Sequence, residues 1–388
     1  MKYNFNELIP RRGTNCYKWD NATNDGVLPM WVADMDFRCA PAIIEALQRR
    51  AAHGIFGYTK VPQAYYDAVV NWFRRRHNWT TQSEWIIYTL GVVPALSAII
   101  KALTQPGDGV LIQTPVYNCF FSSILNNACE VVENQLTYAN KTYTVDFDDL
   151  ERKASDPKVK LLLLCNPHNP AGRVWTREEL LEIGNICIRN NVIVLADEIH
   201  CELVPVNHKY TPFASLSDDF LQHSVTCNSP SKSFNIAGLQ IANIIAPDAE
   251  MRRKIERAIN INELSQVNPF GVEALMAAYN QSEDWLDELN VYIYDNYLYM
   301  KDFCETRLPR FPLTTLEGTY LAWMNCSVLK MTSAELEEQL LAKENLQLNP
   351  GTMYGAAGEG FMRWNLACPR ARVEDGLQRF EHFARTQL

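Results

Sequence analysis

Short apolar runs alternate with amphipathic helical segments through the middle of the chain. Residues 160–165 and 191–196 are compact and rich in leucine, isoleucine and valine, which is typical of strands buried on both faces. Residues 176–190, between them, have apolar positions at helical spacing, and Thr176 with Glu179 gives a capping-box pattern at the start. This strand-helix-strand unit predicts a mainly parallel sheet covered by helices.

The same periodicity predicts further elements on both sides of this unit. Before it, the pattern predicts helices at residues 42–52, 64–77 and 94–103 and a short strand at 109–114. After residue 248 the pattern becomes mostly helical, with helices predicted at 250–259, 271–280, 285–307 and 333–343 and strands at 319–326 and 360–366. The N-terminal stretch has no long periodic segment and is interpreted as an extended arm.

These elements predict an α/β protein with two domains. The expected large domain, residues 45–282, is a three-layer αβα structure around a mainly parallel sheet. Residues 283–388 are expected to form a small α+β domain, which the arm at residues 1–44 joins. The length of 388 residues and the hydrophobic content of 47% are sufficient for a large core.

Charge and cysteine content narrow the range of partners. The formal net charge of -9 argues against a nucleic-acid partner or an anionic membrane, and the basic run at residues 74–76 is interpreted as a solvated helix face. The 11 cysteines contain no C-x-x-C pair, so we interpret them as core residues in a reducing compartment, not as a disulfide framework or zinc site. No run reaches the roughly 18 apolar residues of a membrane span, and the polar N-terminus is unlike a signal peptide. We therefore expect a cytoplasmic protein that uses no metal.

The most informative motif is the segment SPSKSF at residues 229–234. Lys232 lies between small hydroxyl residues, which include Ser229 and Ser231. Such hydroxyls can hydrogen-bond a phosphate while the lysine amine condenses with an aldehyde. An exposed loop lysine is the alternative interpretation of these residues alone.

Two polar segments follow the predicted central strands. Asp197 ends an apolar strand, where a carboxylate can pair with a protonated ring nitrogen of a ligand, or can simply cap a turn. The segment NPHNPAG at residues 166–172 follows the preceding strand, and its two Asn-Pro steps predict a rigid turn that aims the amide of Asn169. Each feature also has a purely structural interpretation when taken alone.

Three further positions add to this pattern. Gly91 precedes a predicted helix, whose N-terminal N–H groups can bind an anion. Tyr117 follows the next strand and can stack on a ring, although a core tyrosine fits equally well. Arg363 lies in an otherwise mostly apolar run, where a guanidinium needs a partner such as a ligand carboxylate or an internal acid.

In their order along the chain, from the glycine loop and the tyrosine through the Asn-Pro turn, the Asp-Glu strand end and the lysine segment to the C-terminal arginine, the motifs resemble the fold-type I pyridoxal-phosphate (PLP) enzymes of the class I/II aminotransferase superfamily. The resemblance covers nearly the whole chain, and the combination is much more specific than any single motif. The segments at residues 29–37 (PMWVADMDF), 91–96 (GVVPAL) and 197–200 (DEIH) look like the cystathionine β-lyase or C–S lyase branch, of MalY/PatB type.

The resemblance implies a role for each matching residue. Lys232 would form the Schiff base with PLP, Asp197 would pair with the pyridinium nitrogen, and Arg363 would bind the substrate α-carboxylate. The other implied contacts are with the cofactor ring for Tyr117, Asn169 and His200, with its phosphate for Gly91, Val92, Val93, Ser229 and Ser231, with a neighbouring subunit's phosphate for Tyr58, and with the S-substituent for Trp31, Asp34 and Tyr354. The resemblance also implies a homodimer with shared active sites.

Two positions depart from the usual aminotransferase pattern. Gln240 stands where most aminotransferases of the superfamily have an arginine that contacts the phosphate, and His200 stands where many have a tyrosine. Both weaken the assignment as a plain aminotransferase, whereas the lyase branch tolerates them.

The sequence therefore predicts a β-lyase that cleaves cystathionine, cysteine or a cysteine S-conjugate to pyruvate, ammonia and a thiol. An aminotransferase that shares the early steps is the main alternative. A binding or regulatory protein without turnover is a third hypothesis, which predicts a loss of catalytic residues that the sequence does not show.

Overall fold

A mixed seven-stranded sheet forms the centre of the larger part of the computed structural model, which describes residues 1–22, 24–263 and 265–387. Its order in the described chain is β2-β10-β9-β8-β7-β3-β4. The strands are β1 (Leu28–Pro29), β2 (Ile86–Thr89), β3 (Gly109–Ile112), β4 (Glu130–Glu133), β5 (Thr137–Ala139), β6 (Thr142–Thr144), β7 (Val159–Cys165), β8 (Ile193–Asp197), β9 (Ser224–Asn228), β10 (Ala242–Ile245), β11 (Leu321–Asn325), β12 (Leu346–Gln347), β13 (Asn349–Pro350) and β14 (Phe361–Asn365).

Helices cover both faces of this sheet, and further helices pack in the rest of the described chain. They are α1 (Tyr17–Asp20), α2 (Pro41–His53), α3 (Gln63–His77), α4 (Val92–Leu103), α5 (Asn118–Leu125), α6 (Phe147–Ala154), α7 (Arg177–Arg189), α8 (Asp218–Gln222), α9 (Pro230–Ser233), α10 (Ala249–Ile261), α11 (Pro269–Gln281), α12 (Glu283–Arg307), α13 (Ser333–Glu344) and α14 (Arg370–Gln387). Among the described residues, none of these helices combines the length and apolar character needed to cross a membrane.

Side-chain alternation along β7 explains the three layers. Leu161 and Leu163 belong to the core shared with α4, α5 and α10, whereas Leu162 and Leu164 belong to the core shared with α6 and α7. Successive residues of a strand point to opposite faces, so a continuous apolar run buries both. The predicted α/β class and mainly parallel sheet are confirmed, since β4, β3, β7, β8 and β9 are parallel and β10 is antiparallel to its neighbours.

The predicted strand-helix-strand unit is β7-α7-β8. The hydroxyl of Thr176 accepts from the N–H of Glu179, and the Glu179 carboxylate accepts from the N–H of Thr176, so the predicted capping box is confirmed. Strands β9 and β10 were not predicted, although both are buried in the same sheet.

The C-terminal part contains a three-stranded antiparallel sheet, β11-β14-β13, with α13 and α14 nearby. The N-terminal residues contact both parts of the molecule. Leu28 pairs with Leu346 of β12, and the N–H of Met35 donates to Asn235 Oδ1 at 3.0 Å. The division at residues 45 and 283 stays a prediction.

A glycine in α7 gives a test of the packing between helix and sheet. A Cβ at Gly184 would lie 2.3 Å from the Phe220 ring, which is itself stacked on Phe213. We expect Gly184→Ala to lower the free energy of unfolding, because overpacking costs about 1–3 kcal/mol and outweighs the gain of about 1 kcal/mol in helix propensity. Urea unfolding measures the change.

Gly238→Ala is the control, because a Cβ at Gly238 meets no atom within 4 Å. An unfolding free energy for Gly184→Ala equal to or above that of the wild type would contradict this packing.

Candidate active site

The carboxyl ends of three parallel strands lie side by side. In the register of the sheet, Cys165 at the end of β7 is opposite Asp197 at the end of β8, and Asp197 is opposite Cys227 of β9. The loops that follow carry Asn169 and Lys232. Since ligands of open α/β sheets bind at this edge, the sheet brings the predicted polar residues to the expected place.

A cavity of about 210 Å³ lies at this edge. Its walls include most of the residues that the sequence analysis selected, namely Gly91, Val92, Val93, Tyr117, Asn169, Asp197, His200, Ser231 and Lys232. These residues come from five segments that are far apart in sequence and meet around one small space.

Lys232 lies on the short helix α9, which Ser229 caps. The Ser229 hydroxyl accepts from the N–H of Ser231 at 3.0 Å and donates to the carbonyl of Ile241 at 2.5 Å. Ser229 thus orients the lysine-bearing turn from behind and does not line the cavity, so its predicted phosphate contact stays a prediction.

The pKa of the Lys232 amine is lower than that of an exposed lysine. Its Nζ donates to the carbonyl of Ala33 at 2.7 Å. Burial, followed by the positive charge of Arg363, lowers the pKa of Lys232 to about 8, although the carboxylates of Asp34 and Asp197 oppose the shift. About a tenth of the amine is therefore unprotonated at pH 7, far more than at the usual lysine pKa of about 10.4, as a nucleophile or base requires.

Asp197 is the acidic counterpart in the cavity. It is 3% exposed, and its Oδ1 accepts from the N–H of Ile199 at 3.1 Å. Burial raises the pKa of Asp197 to about 7, against the effect of that hydrogen bond and of Lys232. A cationic group placed against this carboxylate would hold it ionised and would itself keep its proton.

Arg363, on β14, contacts the cavity wall through Asn169. Its Nη1 donates to Oδ1 of Asn169 at 3.2 Å and its Nη2 donates to the carbonyl of Trp31 at 2.8 Å. The guanidinium lies 4.9 Å from the ring centre of Tyr354, a cation–π distance. Its Nε is buried without a hydrogen-bond partner among the described residues, which leaves a donor for an acidic ligand.

The glycine loop ends at the N-terminus of α4. The helix begins at Val92, two residues earlier than predicted, because Pro94 is compatible with the first turn of a helix and does not have to be its first residue. The N–H groups of Val92 and Val93 have no partner within the helix and face an anion-binding position. Val92 and Val93 line the same cavity as Lys232, so this helix N-terminus can accept an anion there.

His200 and Tyr117 complete the walls. Burial, with the charges of Lys232 and Arg363, lowers the pKa of His200 to about 3, so the imidazole is neutral near pH 7. Its Nδ1 is buried without a hydrogen-bond partner in the described part of the chain. Burial also raises the pKa of Tyr117 above its usual value, so the phenol stays protonated.

Besides Ser229, five of the predicted residues are not among those that line the cavity, namely Arg363, Tyr354, Tyr58, Asp34 and Trp31. Tyr58 is 99% exposed, between α2 and α3. Asp34 pairs with Arg11 at 2.6 Å and with Lys18 at 3.4 Å, and it supports the cavity through the backbone next to it. The ring of Trp31 packs 5.5 Å from Tyr17, while its carbonyl holds Arg363.

The sequence analysis missed the residues that fix the segment at residues 31–36. The Tyr320 hydroxyl donates to the same Ala33 carbonyl as Lys232, and Asn365 Nδ2 donates to the carbonyls of Val32 and Asp34. These contacts join residues that are far apart in the chain, so the pattern of neighbouring residues in the sequence cannot predict them. Only the PMWVADMDF segment itself marked this region as unusual.

Metal-ligand side chains cluster elsewhere, at His77, Cys201 and Glu202. The carboxylate of Glu202 is already hydrogen-bonded to Trp72 Nε1 and His77 Nε2, each at 2.6 Å, and lies 3.7 Å from Arg76 Nε. This geometry is that of a buried ion pair, with a cation where a metal ion would be repelled. The expectation that the protein uses no metal stays a prediction.

This combination of fold and site is that of the fold-type I PLP-dependent enzymes. The chain belongs to the family "Aminotransferase class I and II", whose model matches residues 26–380.

Comparison with known proteins shows which members of this family the chain resembles. The chain is 47% identical to cystathionine β-lyase PatB of Bacillus subtilis, over 97% of this chain and 99% of that protein. Cystalysin of Treponema denticola, whose crystal structure contains PLP, superimposes with a TM-score of 0.96 at 34% identity and covers 100% of both chains. The PLP-bound C–S lyase of Staphylococcus hominis gives a TM-score of 0.92 at 33% identity and covers 98% of each chain.

The donors in the cavity fit PLP. The helix N-terminus at Val92 suits a phosphate, Asp197 suits a protonated ring nitrogen, and the amine of Lys232 suits an aldehyde. PLP is therefore the cofactor of this enzyme.

The contribution of Asp34 to the ionisation of Lys232 gives a prediction. Replacing Asp34 with asparagine removes a negative charge that stabilises the ammonium form, so the pKa of Lys232 should fall further below its present value of about 8. The rate of PLP incorporation into apoenzyme, followed against pH, reports the unprotonated amine. Its midpoint should move to lower pH in Asp34→Asn.

Asp25→Asn is the matched control, since Asp25 is fully exposed and pairs only loosely with Arg12, at 3.9 Å. An unchanged or higher midpoint in Asp34→Asn would show that Asp34 does not stabilise the charged amine.

Proposed function

We propose that this protein is a PLP-dependent carbon–sulfur β-lyase that cleaves cystathionine, cysteine or a cysteine S-conjugate to pyruvate, ammonia and a thiol. The observation that carries the proposal is the meeting of Lys232 and Asp197 in one buried cavity, in a chain 47% identical to a cystathionine β-lyase. PLP, when bound, supplies an electron-withdrawing ring that stabilises negative charge at the substrate Cα.

Each of three residues at the cavity has a separate role in the proposed reaction. Arg363 binds the substrate α-carboxylate through its charge and its unpaired Nε–H. Lys232, with its lowered pKa, accepts the Cα proton. Asp197 stabilises a positive ring nitrogen, and the fixed position of the carboxylate orients the Cα–H bond for removal. The thiolate then departs from Cβ.

Phosphate binding relies on the backbone. The N–H groups of Val92 and Val93, at the start of α4, and the hydroxyl of Ser231 face the anion position. Gln240 stands where many aminotransferases have an arginine. Because glutamine is neutral, it adds no charge there, and its side chain is exposed. We propose that Trp31, Asp34 and Tyr354 influence which S-substituent is accepted, through the segment that supports Arg363 and Ala33.

An aminotransferase is the alternative, since both activities use the same base and the same carboxylate contact. Similarity to proteins named as lyases, together with His200 and Gln240 in place of the usual tyrosine and arginine, favours the lyase. The two differ in whether a thiol leaves Cβ or a proton returns to the cofactor.

The test is incubation of the holoenzyme with cystathionine and no keto acid. We expect pyruvate, ammonia and thiol in equal amounts, and a rate at least about a thousandfold lower for Lys232→Ala, which has no base. Transfer of the amino group only after a keto acid is added, without thiol release, would support the aminotransferase.

We also propose a homodimer with shared active sites. Ile55, Phe56 and Tyr58 form an exposed apolar segment, at 67%, 57% and 99% exposure. Contiguous exposed apolar side chains are typical of a contact surface, and a second copy of this chain is the partner that the family resemblance implies. Tyr58 would then reach the phosphate of the neighbouring site.

Mixed dimers test this arrangement. Lys232→Ala and Tyr58→Phe should each be strongly impaired, and their random mixture should recover about a quarter of wild-type activity, since half of the dimers are hybrids with one intact site of two. Mixing Lys232→Ala with Asp197→Ala is the control, because both changes lie in the same subunit's site and no hybrid is intact. Equal behaviour of the two mixtures would contradict a shared site.

We propose a cytoplasmic location. All 11 cysteines are free thiols and most of them are buried, as suits a reducing compartment.

A further inference from the structure

Two adjacent acidic residues lie at the end of β8, Asp197 as its last residue and Glu198 directly after it, and their side chains have different surroundings. Asp197 lines the cavity, whereas Glu198 does not and is completely buried, at 0% exposure. Alternation along an extended chain places neighbouring side chains on opposite sides. The mechanism uses Asp197 and gives no role to Glu198.

Glu198 accepts hydrogen bonds from three groups. Its Oε2 accepts from the Tyr210 hydroxyl, and its Oε1 accepts from the N–H of Phe213 at 2.9 Å and from Asn166 Nδ2 at 3.2 Å. No lysine or arginine forms an ion pair with it within residues 1–22, 24–263 and 265–387. Burial raises the pKa of Glu198 to about 7, and these hydrogen bonds oppose the shift.

A buried carboxyl group without a basic partner is costly unless its hydrogen bonds are satisfied. Here the satisfied group joins two segments. The loop at residues 210–213 is held through Tyr210 and Phe213, and the turn at residues 166–172 is held through Asn166, whose Nδ2 also donates to the carbonyl of Thr211 at 3.1 Å. Glu198 is thus the common acceptor between that loop and that turn.

The turn held by Glu198 is the one that carries a cavity residue. Asn169 follows Asn166 by three positions and accepts from Arg363 Nη1 at 3.2 Å. His168, between them, is hydrogen-bonded through Nε2 to the carbonyl of Pro115 at 2.8 Å, two residues before Tyr117. A shift of Asn166 would therefore displace Asn169, which is the hydrogen-bond partner of Arg363.

We propose that Glu198, together with Tyr210, is a positioning residue that fixes the turn at residues 166–172, so that Asn169 and Arg363 face the substrate. The inference rests on the proposed function for its kinetic consequence. Its structural consequence, an ordered turn, is independent of that function.

Hydrogen exchange and kinetics of the holoenzyme test the proposal together. Glu198→Ala removes all three acceptor contacts, and Tyr210→Phe removes one of the donors. We expect both to increase amide exchange in a peptide spanning residues 166–173 and to raise the KM for cystathionine about tenfold, with kcat within about threefold of wild type.

Glu198→Gln should restore most of the wild-type behaviour, because its amide oxygen can accept from Phe213 and Asn166 while its NH₂ donates to a reoriented Tyr210 hydroxyl. The matched control is Tyr297→Phe, which removes another buried hydroxyl, bonded to the carbonyl of Thr314 at 3.3 Å. It should leave both the exchange of the turn and KM unchanged.

The outcomes separate the possibilities. Unchanged exchange at residues 166–173 in folded Tyr210→Phe, or exchange raised equally over the whole chain, would overturn the positioning role. If Glu198→Ala does not fold, Tyr210→Phe and Glu198→Gln decide. Absence of lyase activity in the wild type would contradict the proposed function, while the exchange measurement would still decide the role of Glu198.

Discussion

The structure depends on one constraint, namely that a buried amine and a buried carboxyl group line the same cavity. Burial disfavours charge on both, so the pKa of Asp197 rises to about 7 and that of Lys232 falls to about 8. The parallel register of β7, β8 and β9 creates this situation, because it places the strand ends next to one another. Helices pack on both faces of the sheet that carries these strand ends.

Much of this arrangement was predictable from local sequence. Apolar strands with leucine on both faces, the Thr176 capping box and the order of the polar motifs all depend on residues close in sequence. Such patterns report periodicity and turn chemistry directly. They were sufficient for the fold class and for most of the residues that line the cavity.

The remainder depends on contacts that no local pattern contains. The phosphate contact of Ser229 stays a prediction, and in the structure its hydroxyl caps α9 and donates to the Ile241 carbonyl, a partner that lies twelve residues away. The substrate roles of Trp31 and Asp34 stay predictions, and in the structure the Trp31 carbonyl accepts from Arg363 while Asp34 pairs with Arg11. A side chain's type limits what it can bond, but the long-range fold decides which partner it meets.

The Ala33 carbonyl has a consequence for how the protein is made. It accepts from Lys232 and Tyr320, which lie 199 and 287 positions later in the chain, and Asn365 holds the neighbouring carbonyl of Asp34 from 331 positions away. The segment that contains Ala33 and Asp34 is therefore synthesised long before Lys232, Tyr320 and Asn365, which hydrogen-bond to it. Contacts of such large sequence separation form slowly, so the nascent N-terminal region must wait, exposed, until almost the whole polypeptide has emerged.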